Sequence, residues 1–116
     1  MYSFPKQLRI TNDTQLQELF ASGKSLSFNG IILKYINEKK VFKIGFSAPR
    51  RLHQSAVTRN LIKRRMRESF RLQQQLLGGS FSGIGYFIYN DEKVKSSQEI
   101  YAAFTHLLMN WKNSDT

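Results

Sequence analysis

The chain has 116 residues, room for one compact domain with a single core but not for two. At 41% hydrophobic and 22% charged residues it reads as globular rather than disordered, and its net charge of +10 makes a polyanion the expected partner, whether nucleic acid or an anionic membrane surface. The lack of cysteine excludes disulfides, thiolate zinc sites and thiol nucleophiles.

The apolar runs IIL (31–33) and IGYFIY (84–89) fall far short of the roughly 20 residues that span a bilayer. The first residues, MYSFPKQLRI, lack the apolar core of a secretory signal, so cytoplasmic residence is the expectation. No repeat, low-complexity tract or linker interrupts the chain, which predicts a single domain over 1–116, with only KNSDT (112–116) loose.

Residues 13–22 place Leu16, Leu19 and Phe20 on one helical face, with Asn12 or Asp13 to cap and Gly23 to stop, so a short amphipathic helix is predicted. From 26 to 36 and from 41 to 47 the chain is β-branched and aromatic, and Phe42, Ile44 and Phe46 share a face. The polar NEKK (37–40) between these strands predicts an antiparallel hairpin.

A helix follows at 56–76 and is broken by GGSFSG (78–83). The nearly continuous apolar content of 84–90 predicts a strand covered on both faces. Ser96 and Glu99 have capping-box spacing, and Ile100, Phe104, Leu107, Leu108 and Trp111 then line one helical face. The order α-β-β-α-β-α predicts helices packed on a small mixed sheet.

The helix AVTRNLIKRRMRESFR (56–71) carries six basic residues and one acid. At about 100° per residue, Asn60, Lys63, Arg64, Arg67 and Arg71 fall on one arc, while Ile62, Met66 and Phe70 lie on the arc beside it. Arg65 is off the basic arc and is excluded from the central site. A helix stabilised by local ion pairs would intersperse acids at i+4, but only Glu68 is present, best placed to pair with Arg64 or Arg71. Most of the charge is therefore expected to lack an internal partner. Arginine outnumbers lysine five to one, and its planar fork suits phosphate oxygens and base stacking.

In Ala56, Val57, Arg59, Asn60, Lys63, Arg64, Arg67, Glu68 and Arg71 the segment resembles the signature of the bacterial ribonuclease P protein component. LFASGKS (19–25) and GFSAPRR (45–51) are also similar to stretches of that family. Two departures are visible. Leu16 stands where the family often has a second phenylalanine, and LHQS (52–55) replaces a glycine-containing turn.

The resemblance implies an α+β fold: a single-domain α/β sandwich, ribosomal-protein-like, with a left-handed β-α-β crossover around the basic helix. That hand is rare, since about 98% of such connections are right-handed. It further implies a protein subunit that binds a catalytic RNA and the 5′ leader of precursor tRNA while the RNA performs the hydrolysis. Magnesium would be held mainly by that RNA, with Asn60 the candidate to touch a metal ion. No membrane and no obligate protein partner is implied.

On this reading Arg50, Arg51, Arg59, Asn60, Lys63, Arg64, Arg67 and Arg71 bind the catalytic RNA. Phe20, Phe28, Tyr35 and Tyr86, with Tyr89 a further candidate, line a surface between sheet and helix for the leader.

The chain itself offers no convincing protein active site. Its eight carboxylates are scattered, Asp91 and Glu92 fit a solvated turn, His53 reads as a surface loop residue and His106 as a helix flank. The competing classes are a ribosomal or other structured-nucleic-acid-binding module, which would not stimulate cleavage, and a protein nuclease, which would cut alone.

Overall fold

The computed structural model describes residues 13–114. The expected Asn12 cap lies outside the described residues, as do Asp115, Thr116 and the side chains of Asp13 and Leu16.

Helix α1 (Asp13–Ser22) has the predicted bounds. It stops at Gly23, whose N–H closes onto Leu19 O at 2.8 Å; a Cβ there would lie 2.2 Å from the same oxygen, so no other residue ends the helix this way. The region predicted as one strand, 26–36, is two: β1 (Lys24–Phe28) and β2 (Ile31–Ile36). Asn29 (φ 48°) and Gly30 (φ 82°) join them in a two-residue turn with both φ positive, the geometry that the Asn-Gly pair favours in hairpins.

Strand β3 (Phe42–Ser47) does not pair with β2 across residues 37–40 as predicted. Strand β4 (Gly83–Tyr89) lies between them, giving the sheet order β1-β2-β4-β3. It runs antiparallel to β2, with Phe87 opposite Leu33, and parallel to β3, with Phe87 opposite Phe46. Parallel neighbours need a long crossover, and helix α2 (Ala56–Gln73), continued by a 3-10 turn at Gln74–Leu77, supplies it. Helix α3 (Ser97–Ser114) completes the chain.

Strand alternation sorts the sheet into two faces. One carries Leu33, Tyr35, Ile44, Phe87 and Tyr89 toward Ile62, Met66 and Phe70 of α2 and toward Ile100, Phe104, Leu107, Leu108 and Trp111 of α3, all in one buried cluster. Phe87 stacks on Phe104 with ring centroids 4.4 Å apart, and Phe46 stacks on Phe87 at 5.7 Å. Burying each such side chain contributes about 1.5–3 kcal/mol, so this cluster dominates the stability of the fold. Inside it, Gln73 of α2 donates to Tyr101 O of α3 at 2.8 Å and accepts from the Thr105 hydroxyl, satisfying a buried amide while joining the two helices.

The opposite face carries Ile32, Lys34 and Ile36 of β2 beside Ile88, Tyr86 and Ile84 of β4. Helix α1 packs here and buries Leu19. The expectation that β4 is covered on both faces holds at Ile84, but Tyr86 and Ile88 remain half-buried. The sheet therefore keeps a partly open face.

At α3 the capping box forms: Ser96 N–H donates to Glu99 Oε1 at 3.1 Å, and Glu99 N–H donates to Ser96 Oγ at 3.2 Å. The Ser96 backbone N–H, and after it the Ser96 side chain, hold the Glu99 carboxyl below its ordinary range. The helix runs to Ser114, so Lys112, Asn113 and Ser114 are helical rather than loose. No helix among the described residues is long and apolar enough to cross a membrane.

Candidate nucleic-acid interface

Ser55 caps α2, its hydroxyl accepting the Thr58 N–H at 3.4 Å, and Ile62, Met66 and Phe70 bury the inner stripe. That docking fixes the rotation of the helix, leaving Asn60, Arg64 and Arg67 exposed and Lys63 and Arg71 half-buried on the outer side. Arg65 points elsewhere. Its Nη1 donates to Lys95 O at 2.7 Å, tying α2 to the segment before α3 and agreeing with its exclusion from the basic arc.

Arg71 and Arg59, like Arg65, are engaged within the protein. Arg71 grips Glu68 with two hydrogen bonds, one from Nε at 3.0 Å, and this contact holds the Glu68 carboxyl below its usual value. Arg59 turns back over the loop before the helix, where Nη1 donates to His53 O at 2.9 Å and Gln54 O at 2.7 Å. Lys63 and Arg64 have no ion pair among the described residues, so the expectation of unpartnered charge holds best at these two.

Arg50 and Arg51 are exposed on the turn between β3 and α2, and Arg51 Nη2 donates to Asn90 Oδ1 at 3.2 Å. Two polar residues have more definite roles than sequence reasoning assigned. His53 is buried rather than a surface loop residue, because Nε2 donates to Asp91 O at 2.7 Å. Asp91 is no mere solvated turn residue: its carboxylate meets Lys95 Nζ at 2.6 Å and accepts Lys93 N–H at 2.9 Å, contacts that hold it below the ordinary carboxylate value. Gly30 approaches so closely that a Cβ there would lie 2.9 Å from Asp91 Oδ2. His106 is on the outer side of α3, as expected, and stacks on Phe28 with centroids 4.0 Å apart.

The four aromatics proposed for one surface divide between the two faces of the sheet. Phe20 of α1 is 51% exposed and meets Tyr86 edge-on at 5.8 Å over the open face. Tyr35 instead points into the core, 4% exposed and 5.8 Å from the Trp111 ring. Phe28 lies on that same side against His106, and Tyr89 is fully buried. The reason is parity: Phe28 and Tyr35 occupy strand positions in phase with Leu33, whereas Tyr86 is out of phase with its neighbours Gly85 and Phe87. Lys34, directly opposite Tyr86 in the register, joins the open face instead. The alternation of residues 31–36 carries that signal in the sequence.

Asn60 is flanked on its face by Lys63 and Arg64, whose charges repel a hard cation that seeks oxygen ligands. These residues do not form a magnesium site by themselves. Among the described residues no group of three or more His, Asp or Glu could hold a metal ion. What the site can do is bind anions: guanidinium and ammonium groups present a charged ridge, and an aromatic pair with a lysine lies on an open sheet face.

The chain matches the family model described as Ribonuclease P over residues 4–112. It is 35% identical over 79 residues to the ribonuclease P protein component of Nitrosococcus oceani, covering 67% of this chain and 66% of that protein, just under two thirds of the relative's length. The fold is similar to that of the Staphylococcus aureus RNase P protein, with a TM-score of 0.77 and 24% identity over 92% of this chain and 97% of that one. The Thermotoga maritima RNase P protein superimposes with a TM-score of 0.75 and 19% identity, covering 88% and 96% of the two chains. A basic helix set between two parallel strands, in a fold of this kind and with a match reaching from residue 4 to residue 112, places the chain in the ribonuclease P protein family.

Proposed function

We propose that the chain is the protein subunit of a ribonuclease P ribonucleoprotein. Its part is to bind the catalytic RNA and the 5′ leader of precursor tRNA while the RNA carries out the hydrolysis with its own magnesium. The observation that carries this reading is the sorting of α2, with apolar residues buried and Asn60, Lys63, Arg64 and Arg67 turned outward.

Phosphate oxygens would replace water around these side chains, each contact releasing a counterion. Arg50 and Arg51 extend the same chemistry to the turn before the helix. On the open sheet face, Phe20 and Tyr86 offer ring surfaces on which unpaired leader bases stack, and Lys34 offers a cation to the leader backbone. Phe28, Tyr35 and Tyr89, on the core side of the sheet, are not part of that surface.

The test is binding to the catalytic RNA across a salt series. Each phosphate contact contributes a slope of about 0.7 to 0.9 in log affinity against log salt, so Arg64→Ala with Arg67→Ala should lower the slope by about 1.4 to 1.8. Unchanged slope and affinity in the double variant would overturn the assignment.

A further inference from the structure

The turn between β3 and α2 is anchored more heavily than a solvated loop requires. Leu52 and His53 both donate their backbone N–H to Pro49 O, at 3.2 and 3.4 Å, closing a turn with Arg50 and Arg51 exposed at its tip. The His53 ring, only 8% exposed, donates to Asp91 O at 2.7 Å and lies 5.8 Å from the Tyr89 ring. Its acceptor is fixed in turn. Asp91 pairs with Lys95, and the Tyr89 hydroxyl donates to Lys93 O at 2.5 Å and accepts Lys95 N–H at 2.9 Å. From the other side Arg59 clamps the carbonyls of His53 and Gln54.

We infer that His53 is a positioning residue for the Arg50–Arg51 pair, locking the foot of their turn to the β4–α3 loop so that both guanidinium groups meet RNA in one fixed geometry. The inference rests on the reading of Arg50 and Arg51 as RNA contacts. His53 itself is buried and reaches no RNA. Its effect is to order the loop before binding, so that the ordering cost does not fall on the complex. The donor matters more than the ring. A glutamine amide can reach the Asp91 carbonyl from the same backbone position, and an alanine cannot.

The test uses the full chain and the catalytic RNA in a double-mutant cycle over a salt series, with melting temperatures measured in parallel. The variants are His53→Ala, His53→Gln, the pair Arg50→Ala and Arg51→Ala, and the pair combined with His53→Ala. The arginine pair should lower the salt slope by about 1.4 to 1.8. His53→Ala should weaken binding by about two- to tenfold, the cost of ordering one rotamer-rich side chain, and His53→Gln should restore most of it.

In the background lacking both arginines, His53→Ala should change affinity by less than about twofold, because the groups it positions are gone. Equal weakening in both backgrounds would mark His53 as a merely structural residue and overturn the inference while leaving the arginine reading intact. So would unchanged affinity of His53→Ala in the otherwise native chain. If the arginine pair itself leaves affinity and slope unchanged, the reading of those two residues falls and the inference falls with it. Should His53→Ala fail to fold, His53→Asn, too short to reach the carbonyl, takes its place in the same cycle.

Discussion

Gly85 lies in β4, a strand hydrogen-bonded on both sides, between Tyr35 of β2 and Ile44 of β3. The Trp111 ring of α3 rests directly on it: a Cβ at Gly85 would lie 2.6 Å from Cη2, 2.9 Å from Cζ3 and 3.3 Å from Leu33 Cδ1. Carbon atoms normally approach to about 3.5–4.0 Å, so Gly85→Ala forces the ring or the strand to move by about 1 Å. Neither moves freely. Trp111 is wedged edge-on against Phe81 at 4.9 Å and tilted against Tyr35 at 5.8 Å, and β4 cannot shift without breaking two ladders.

Overpacking of this kind costs about 1–3 kcal/mol, and the lack of any relief places Gly85→Ala near 2 to 3 kcal/mol. For a domain of this size that is a fall of about 8–12 °C in melting temperature. Thermal and urea denaturation followed by circular dichroism measure it. In a Trp111→Phe background the smaller ring leaves room, so the alanine should cost less than half as much. A cost below about 0.5 kcal/mol in the native background, or an equal cost in both, would refute the proposed clash.

Three further outcomes follow from the site. Phe20→Ala and Tyr86→Ala should each lose about 1–3 kcal/mol of leader-dependent affinity, measured as the difference between precursor and mature tRNA binding, whereas Phe28→Ala should leave that difference unchanged. Asp91→Asn removes a charged partner from a nearly buried Lys95 and should lower stability by about 1–3 kcal/mol at neutral pH. Because the hydrogen bond from Lys95 holds the Asp91 carboxyl below 3.8, its contribution is complete above that value and is lost as pH falls through the folded-state value. The same pair raises Lys95 above 10.5, so on the alkaline side the contribution persists until that higher value is passed. The gap between wild type and Asp91→Asn in urea stability should therefore be flat through the neutral range and close only as pH falls below the ordinary aspartate value. A gap unchanged in acid would assign the loss to something other than the ion pair.

Local signals were legible where the structure is local. Gly23, the Ser96 and Glu99 pair, and the spacing of Ile62, Met66 and Phe70 announced helix ends and faces, and all three helices carry them. The Asn29-Gly30 hairpin is equally local, but the apolar run that continues on both sides masks it. The partner of β3 was not legible: NEKK makes a plausible turn, and only the pairing of residues about forty positions apart inserts β4 between the two strands.

The same division holds at the site. The helical period placed Lys63, Arg64 and Arg67 outward, but it could not report that Arg59 turns back to clamp His53 and Gln54. That needs the loop conformation. Nor could composition assign Tyr35 to the core and Tyr86 to the open face, since both are tyrosines in apolar strands and only the register separates them.

A chain that assists cleavage by an RNA, as proposed, should neither cut alone nor bind without effect on the rate. The most direct measurement incubates precursor tRNA at low magnesium with the chain alone, with the catalytic RNA alone, and with both, and follows release of the 5′ leader. No release by the chain, slow release by the RNA and faster release by the two together are expected. Release by the chain alone, or a rate with both that equals the rate with RNA alone, would contradict the proposed role.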